Sequence, residues 1–90
     1  MILHELLVVV EDDREIVEML LEAGVLPAPL EREYSEEEAE LARVARLLLR
    51  ELEVNLAGVE VILRMRQEMI ALRKQMAEVI ERIQEARRAP

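Results

Sequence analysis

Few side chains in this sequence could do covalent or acid–base chemistry. There is one Ser (Ser35), one His (His4), one Tyr (Tyr34), one Lys (Lys74) and one Asn (Asn55), with neither Thr nor Cys. A nucleophile works only beside a base that takes its proton and a third group that orients the base. Ser35 has no such company. It opens Ser35-Glu36-Glu37-Glu38, the spacing of a capping box, in which the hydroxyl accepts from the backbone three residues on and the third glutamate reaches back. The capping role absorbs Ser35, and no enzymatic activity is expected. With a single His and no Cys, zinc, haem and iron–sulfur ligation lack their usual donors. A carboxylate-only Ca²⁺ or Mg²⁺ site stays open in principle, but the spacing of an EF-hand loop is missing, and neither a metal nor another cofactor is expected.

What remains is charge. The chain carries 20 acids and 12 bases, a net of −8. They are not evenly spread: residues 1–40 hold 13 acids and 2 bases, and residues 41–90 hold 7 acids and 10 bases. An acidic surface releases no counterions from DNA, so a nucleic-acid role would need a local basic patch. Glu11, Glu15, Glu18 and Glu22 are spaced four, three and four, which puts them on one stripe of a helix, with Asp12 in the turn before it. Like charges at these spacings each cost a few tenths of a kcal/mol, and only Arg14 stands near to relieve them. The stripe is either a solvated face or a docking surface for a basic partner. Arg43, Arg46 and Arg50 form a basic stripe further on, for which pairing with the surrounding glutamates is expected.

The elements that position these groups are read from periodicity. Ninety residues, 52% of them apolar, with Tyr34 as the only aromatic, suit one small domain with an aliphatic, helical core. Leu6 to Val10 is β-branched enough for a short strand and short enough for a buried helix, and periodicity cannot separate the two. It is too brief, and follows an acid rather than basic residues, for a secretory signal. No stretch approaches the roughly 20 apolar residues of a membrane helix, so a soluble, cytoplasmic protein is expected. Asp12, with Glu15 three residues on, makes a capping-box start for a helix that buries Ile16, Val17, Leu20 and Leu21. Gly24 should end it in a left-handed conformation, with Val25-Leu26 giving the contact that follows such ends. Pro27-Ala28-Pro29 forbids continuation, and Pro27 to Tyr34 is a connection. The helix opened by Ser35 should run to about Leu52, with Leu41, Val44, Ala45, Leu48 and Leu52 on one face.

Asn55 is a natural cap for a last helix from Leu56 to about Arg87, whose thirty residues would reach about 45 Å. Ile62, Met65, Met69, Leu72, Met76, Val79 and Ile83 recur at alternating steps of three and four, the apolar seam of a coiled coil. No second helix of that length exists in the chain, so the seam points to a homodimer, with an antiparallel arrangement preferred. Methionine at three seam positions packs flexibly and specifies geometry poorly. The organisation expected is an acidic lobe over residues 1–54 and a dimerisation helix over 55–90.

This order of elements resembles a known family. A helix and turn lead to a second helix ending in Glu22-Ala23-Gly24-Val25-Leu26-Pro27. A short wing and Tyr34-Ser35-Glu36-Glu37-Glu38 follow, then Val54-Asn55-Leu56-Ala57-Gly58-Val59-Glu60-Val61-Ile62-Leu63 opens a long helix. Together these are similar to the winged helix-turn-helix of MerR-like proteins, and the last string above all to the heat-shock repressor branch and the chaperone modulator CbpM family. The resemblance runs from about Ile2 to Met76. It implies an all-α fold with a reduced wing, Leu3 to Val9 as the first helix and Val10 in the turn. It also implies one of two functions. A MerR-type regulator reads DNA as a dimer, with basic residues on the second helix and in the wing. Here that helix carries carboxylates, and the wing offers Arg32 between two glutamates, which disfavours DNA. The chaperone modulator branch binds the J-domain of a DnaJ-type co-chaperone, whose basic surface engages DnaK. Glu11, Asp12, Glu15, Glu18 and Glu22 would be the matching acidic surface, with the co-chaperone as partner and DnaK as a second partner that the resemblance allows. A plain adaptor pairing its heptad helix with a foreign coiled coil is the remaining reading.

Overall fold

The computed structural model describes residues 1–88 and is all-helical. It contains α1 (Leu3–Val9), α2 (Arg14–Glu22), α3 (Glu36–Arg46), a π-helical stretch over Leu47–Glu51 that prolongs α3, and α4 (Leu56–Arg88). No strand occurs among the described residues. The chain divides into two compact units, Met1–Glu60 and a second one from Val61 onward. The division falls inside α4, later than the change at residues 54/55 read from the sequence, because the first turn of α4 still belongs to the N-terminal core through fully buried Val59. Among the described residues no helix is long and apolar enough to cross a membrane.

Residues 3–9, ambiguous by propensity, are helical because packing decides the matter. Leu6 and Val10 lie one turn apart and are both fully buried, and tertiary burial overrides the β-branched preference of the segment. The Glu5 carboxylate accepts from the Ile2 N–H at 3.1 Å and closes the first turn. The helix ends in a left-handed residue, Glu11 (φ 55°). The Asp12 N–H reaches back to the Leu7 carbonyl at 2.7 Å and the Glu11 N–H to that of Val8 at 3.1 Å, the Schellman pattern normally built on glycine. Asp12 is left-handed too (φ 61°). This corrects the expected cap. Two left-handed residues take up the turn, so α2 starts one residue late and Asp13, not Asp12, accepts from the Ile16 N–H at 3.2 Å.

Ile16, Val17 and Leu20 are fully buried, and Leu21 is half-buried at the margin of the stripe. Gly24 takes the expected left-handed conformation (φ 74°). The Val25 N–H bonds the Leu20 carbonyl at 2.9 Å, and Leu26 is buried behind it. Pro27 to Tyr34 is a run of turns and bends with a cis Ala28–Pro29 bond. Its fixed point is Tyr34, which is 2% exposed. The Tyr34 backbone exchanges two 2.6 Å bonds with that of Met1. Its hydroxyl donates to the Leu30 carbonyl at 2.7 Å, and the Arg32 guanidinium lies 5.6 Å from its ring centre.

The Ser35 box forms as read: Ser35 Oγ accepts from the Glu38 N–H at 3.1 Å and Glu38 Oε1 from the Ser35 N–H at 2.8 Å. The inner face of α3 keeps Ala45 and Leu48 of the expected row but otherwise differs from it. Ala39, Ala42, Ala45 and Leu48 are buried, Leu41 and Val44 are half-buried, and Leu52 is 62% exposed. Small side chains let α3 pack against both α1 and α2. The π-helical stretch, with the Leu52 N–H bonding the Leu47 carbonyl at 3.1 Å, slips the register so that Leu52 leaves the face. The helix then ends at left-handed Glu53 (φ 54°). Asn55 Oδ1 accepts from the Gly58 N–H at 2.8 Å and caps α4. A Cβ on Gly58 would stand 2.8 Å from Val54 Cγ1, so any other residue here would force the Val54 side chain to move.

Candidate protein-interaction surfaces

Two surfaces stand out, one in each unit. The first is the acidic face of α2 and the turn before it. Its carboxylates do not form one open stripe, because Arg46 at the end of α3 and Arg50 in the π-helical stretch lie against them. Arg50 Nε and Nη2 grip Asp13 at 2.8 and 3.2 Å, and Nη2 also reaches Glu15 at 2.7 Å. Arg46 Nη1 holds Glu11 at 2.7 Å and Glu51 at 3.4 Å. Arg43 turns away to Glu40 on its own helix, at 2.5 Å.

This clamp shifts titration in both partners. Hydrogen bonding from Arg50 holds the Asp13 carboxyl below the usual range against the opposing effect of burial, with the Ile16 N–H assisting. The same bonds raise the Arg50 guanidinium. A similar cluster holds the start of α3: the backbone N–H of Ser35 is the main cause of the lowered Glu38 carboxyl, with Arg32 at 2.7 Å adding to it.

The sequence-read acids therefore separate. Glu11 and Glu15 are held by arginines of α3 and its extension. Glu18 has only a 3.6 Å contact with Arg14, and both side chains are more than half exposed. Asp12 and Glu22 make no ion pair among the described residues and are exposed. What stays open for a partner is Asp12 in the turn and the last two turns of α2, Glu18 and Glu22. Sequence reasoning passed over Asp13, which is both the cap of α2 and the main anchor of Arg50. Its neighbour Asp12 fits the capping spacing as well, and only the left-handed pair at 11 and 12 breaks the tie.

The second surface is the seam of α4. Leu63 is the last buried side chain of that helix, and beyond it only Arg66 is less than exposed among the described residues. Ile62, Met65, Met69, Leu72, Met76, Val79 and Ile83 are between 37% and 58% exposed, which is heavy exposure for a contiguous apolar row. Ile70 and Ile80, outside the heptad positions and missed by the heptad count, widen it. One shallow groove runs over Ile62, Met65, Met69 and Ile70 beside Arg66 and Arg73, and a second over Leu72, Met76, Val79 and Ile80 beside Gln75. The two hydroxyls of Tyr34 and Ser35 are occupied by the Leu30 carbonyl and the Glu38 N–H respectively.

No family model, curated protein or solved structure matches this chain. Both surfaces are thus described by their own chemistry: a partly neutralised acidic face and an apolar row edged with arginine.

Proposed function

We propose that the protein is a non-enzymatic modulator of a DnaJ/DnaK-type chaperone system that binds the J-domain of the co-chaperone through the acidic face of α2 and works as a homodimer held by α4. The observation that carries this reading is that Asp12, Glu18 and Glu22 stay exposed outside the arginine clamp, in a unit whose residues 1–60 hold 16 acids and 5 bases. A J-domain engages its Hsp70 partner with a basic helical surface. An acidic binder gains by long-range steering and by complementary pairing at that surface, and occupying it would keep DnaK away.

The order α1, turn, α2, connection, α3 and long α4 supports the resemblance to the chaperone modulator family, with the turns of Pro27 to Tyr34 standing where a reduced wing would lie. A duplex would meet the same carboxylates. Arg46 and Arg50, the cations that reach this face from α3 and its extension, are already committed to Glu11, Asp13 and Glu15.

The test is titration of a purified DnaJ-type J-domain against the parent and against Glu18→Lys/Glu22→Lys, a pair that leaves the Arg50 clamp intact. Binding should weaken by at least about tenfold, and the affinity of the parent should fall with added salt. Glu36→Lys/Glu37→Lys, with the same charge change on α3, should bind as the parent does. Equal affinity of parent and α2 variant would sink the reading, and salt-dependent, saturable binding of a palindromic DNA in its place would establish the transcriptional alternative.

A further inference from the structure

We infer that the seam of α4 takes a second copy of this chain in one antiparallel register, with Met65 opposite Ile83, Met69 opposite Val79, Leu72 opposite Met76 and Ile62 opposite Ala86. The inference rests on the homodimer of the proposed function and supplies its geometry. Three arguments carry it: the first supports a second copy, and the other two select its orientation and register.

The first is area. Seven seam side chains, each roughly half exposed, together with their counterparts would remove on the order of 1,400 Å² from water, the scale of a stable specific interface.

The second is charge at the positions flanking the seam. Glu68 and Arg82 lie on one flank and Arg66, Arg73 and Ile80 on the other. In an antiparallel pair like flanks face each other, in a parallel pair unlike flanks do. In the inferred register Glu68 of each copy faces Arg82 of the other, giving two attractive pairs, while Arg66 faces Ile80 and only Arg73 meets its own copy. Sliding one heptad so that Met65 faces Met76 sets Arg66 against Arg73 twice and Glu68 against Gln75. Sliding the other way, so that Leu72 faces Ile83, sets Arg66 against Arg87 twice. Neither shifted register has an attractive pair. A parallel pair gains Glu68 with Arg73 twice and loses as much from Arg82 against Arg87.

The third argument is packing. In the inferred register each methionine of the seam meets a branched aliphatic side chain. In the parallel pair Met65, Met69 and Met76 would each stack on itself, three layers of unbranched, weakly specifying side chains.

The absence of cysteine makes a direct test clean. Met65→Cys and Ile83→Cys chains, mixed and oxidised, should give a covalent mixed dimer. Met65→Cys alone should give none, because its two copies would stand about 27 Å apart along the helices. Cross-linking of Met65→Cys with itself would overturn the orientation. Stronger cross-linking of Met65→Cys with Met76→Cys than with Ile83→Cys would overturn the register. As a second reading, Glu68→Arg should weaken the dimer at least about fivefold and Glu68→Arg/Arg82→Glu should restore it; no rescue counts against the pairing. Light scattering on the parent separates the levels: a monomer at tens of micromolar would overturn the dimer itself, whereas a dimer with the wrong cross-links overturns only this register. J-domain titration is independent of both outcomes.

Discussion

The two units treat the same aliphatic side chains in opposite ways. Before Val61, leucines and valines at helical spacing meet a neighbouring helix and vanish from the surface: Leu6, Val10, Ile16, Val17, Leu20 and Val59 are all fully buried. After it, an equally regular row from Met65 to Ile83 stays about half exposed. Charge follows the same division. In the first unit arginines close on carboxylates far away in sequence, Arg50 on Asp13 and Arg46 on Glu11. In the second, Glu68 and Arg82 flank the row on one side and Arg66 and Arg73 on the other. Periodicity alone marks a face as apolar and says nothing of whether the chain itself supplies the cover.

The sharpest way to break this contrast is one substitution in each unit. Leu20→Ala empties the middle of the N-terminal core and should cost about 2–5 kcal/mol, lowering the unfolding midpoint by at least about 10 °C at any protein concentration. Leu72→Lys, at a position 58% exposed in the single chain, opens no cavity. It should leave the unfolding of the first unit unchanged at high dilution and abolish the dimer by light scattering. The parent's midpoint should fall on dilution and that of Leu72→Lys should not, because only an associating species is stabilised by mass action. A concentration-dependent midpoint in Leu72→Lys, or a midpoint drop at high dilution as large as that of Leu20→Ala, would mean that the seam is covered within one chain after all.

How much of this was legible beforehand varies with the kind of signal. Ends fixed by local chemistry read correctly: Ser35 with Glu38, Gly24 after Leu21, Asn55 before Gly58. Features that depend on a neighbouring helix did not. On the inner face of α3, Ala45 and Leu48 were read correctly, but Ala39 and Ala42 were missed, since close approach favours small side chains there while a hydropathy count favours Leu41 and Leu52. The π-helical stretch at Leu47–Glu51 has no composition of its own, yet it moves Leu52 off the core face and ends a helix that delivers Arg50 to Asp13. The acidic stripe was legible as a row of residues; its division into clamped and open halves was not, because pairing across 37 positions of sequence leaves no local trace.

A middle-sized effect tests the clamp. Asp13 and Glu38 have folded pKa values below their ordinary ones. Their contribution is therefore fully present above the unfolded carboxylate pKa of about 4 and is lost as pH falls through the folded values. Removing the main cause at Asp13 with Arg50→Gln should lower the thermal midpoint at pH 7. The gap between variant and parent should close as pH falls through the folded pKa of Asp13 and the carboxylate becomes protonated in both states. A gap that persists undiminished in acid would show that Arg50 acts by packing along α3 rather than through its charge.

The smallest expected effect distinguishes strain that binds something from strain that does not. Glu11 and Glu53 both hold left-handed backbone, at φ 55° and 54°, a conformation that costs an ordinary residue about 1 kcal/mol and glycine almost nothing. Glu53 is exposed and makes no ion pair among the described residues, so Glu53→Gly should stabilise the N-terminal unit by about 1 kcal/mol, raising its midpoint by roughly 4–8 °C. Glu11→Gly relieves the same strain but removes the 2.7 Å partner of Arg46, a guanidinium whose Nε is already buried without a hydrogen bond among the described residues. Its gain should be smaller or absent. Equal gains from the two substitutions would show that the Glu11–Arg46 pair adds nothing to stability and that its carboxylate is as open to a partner as Glu22.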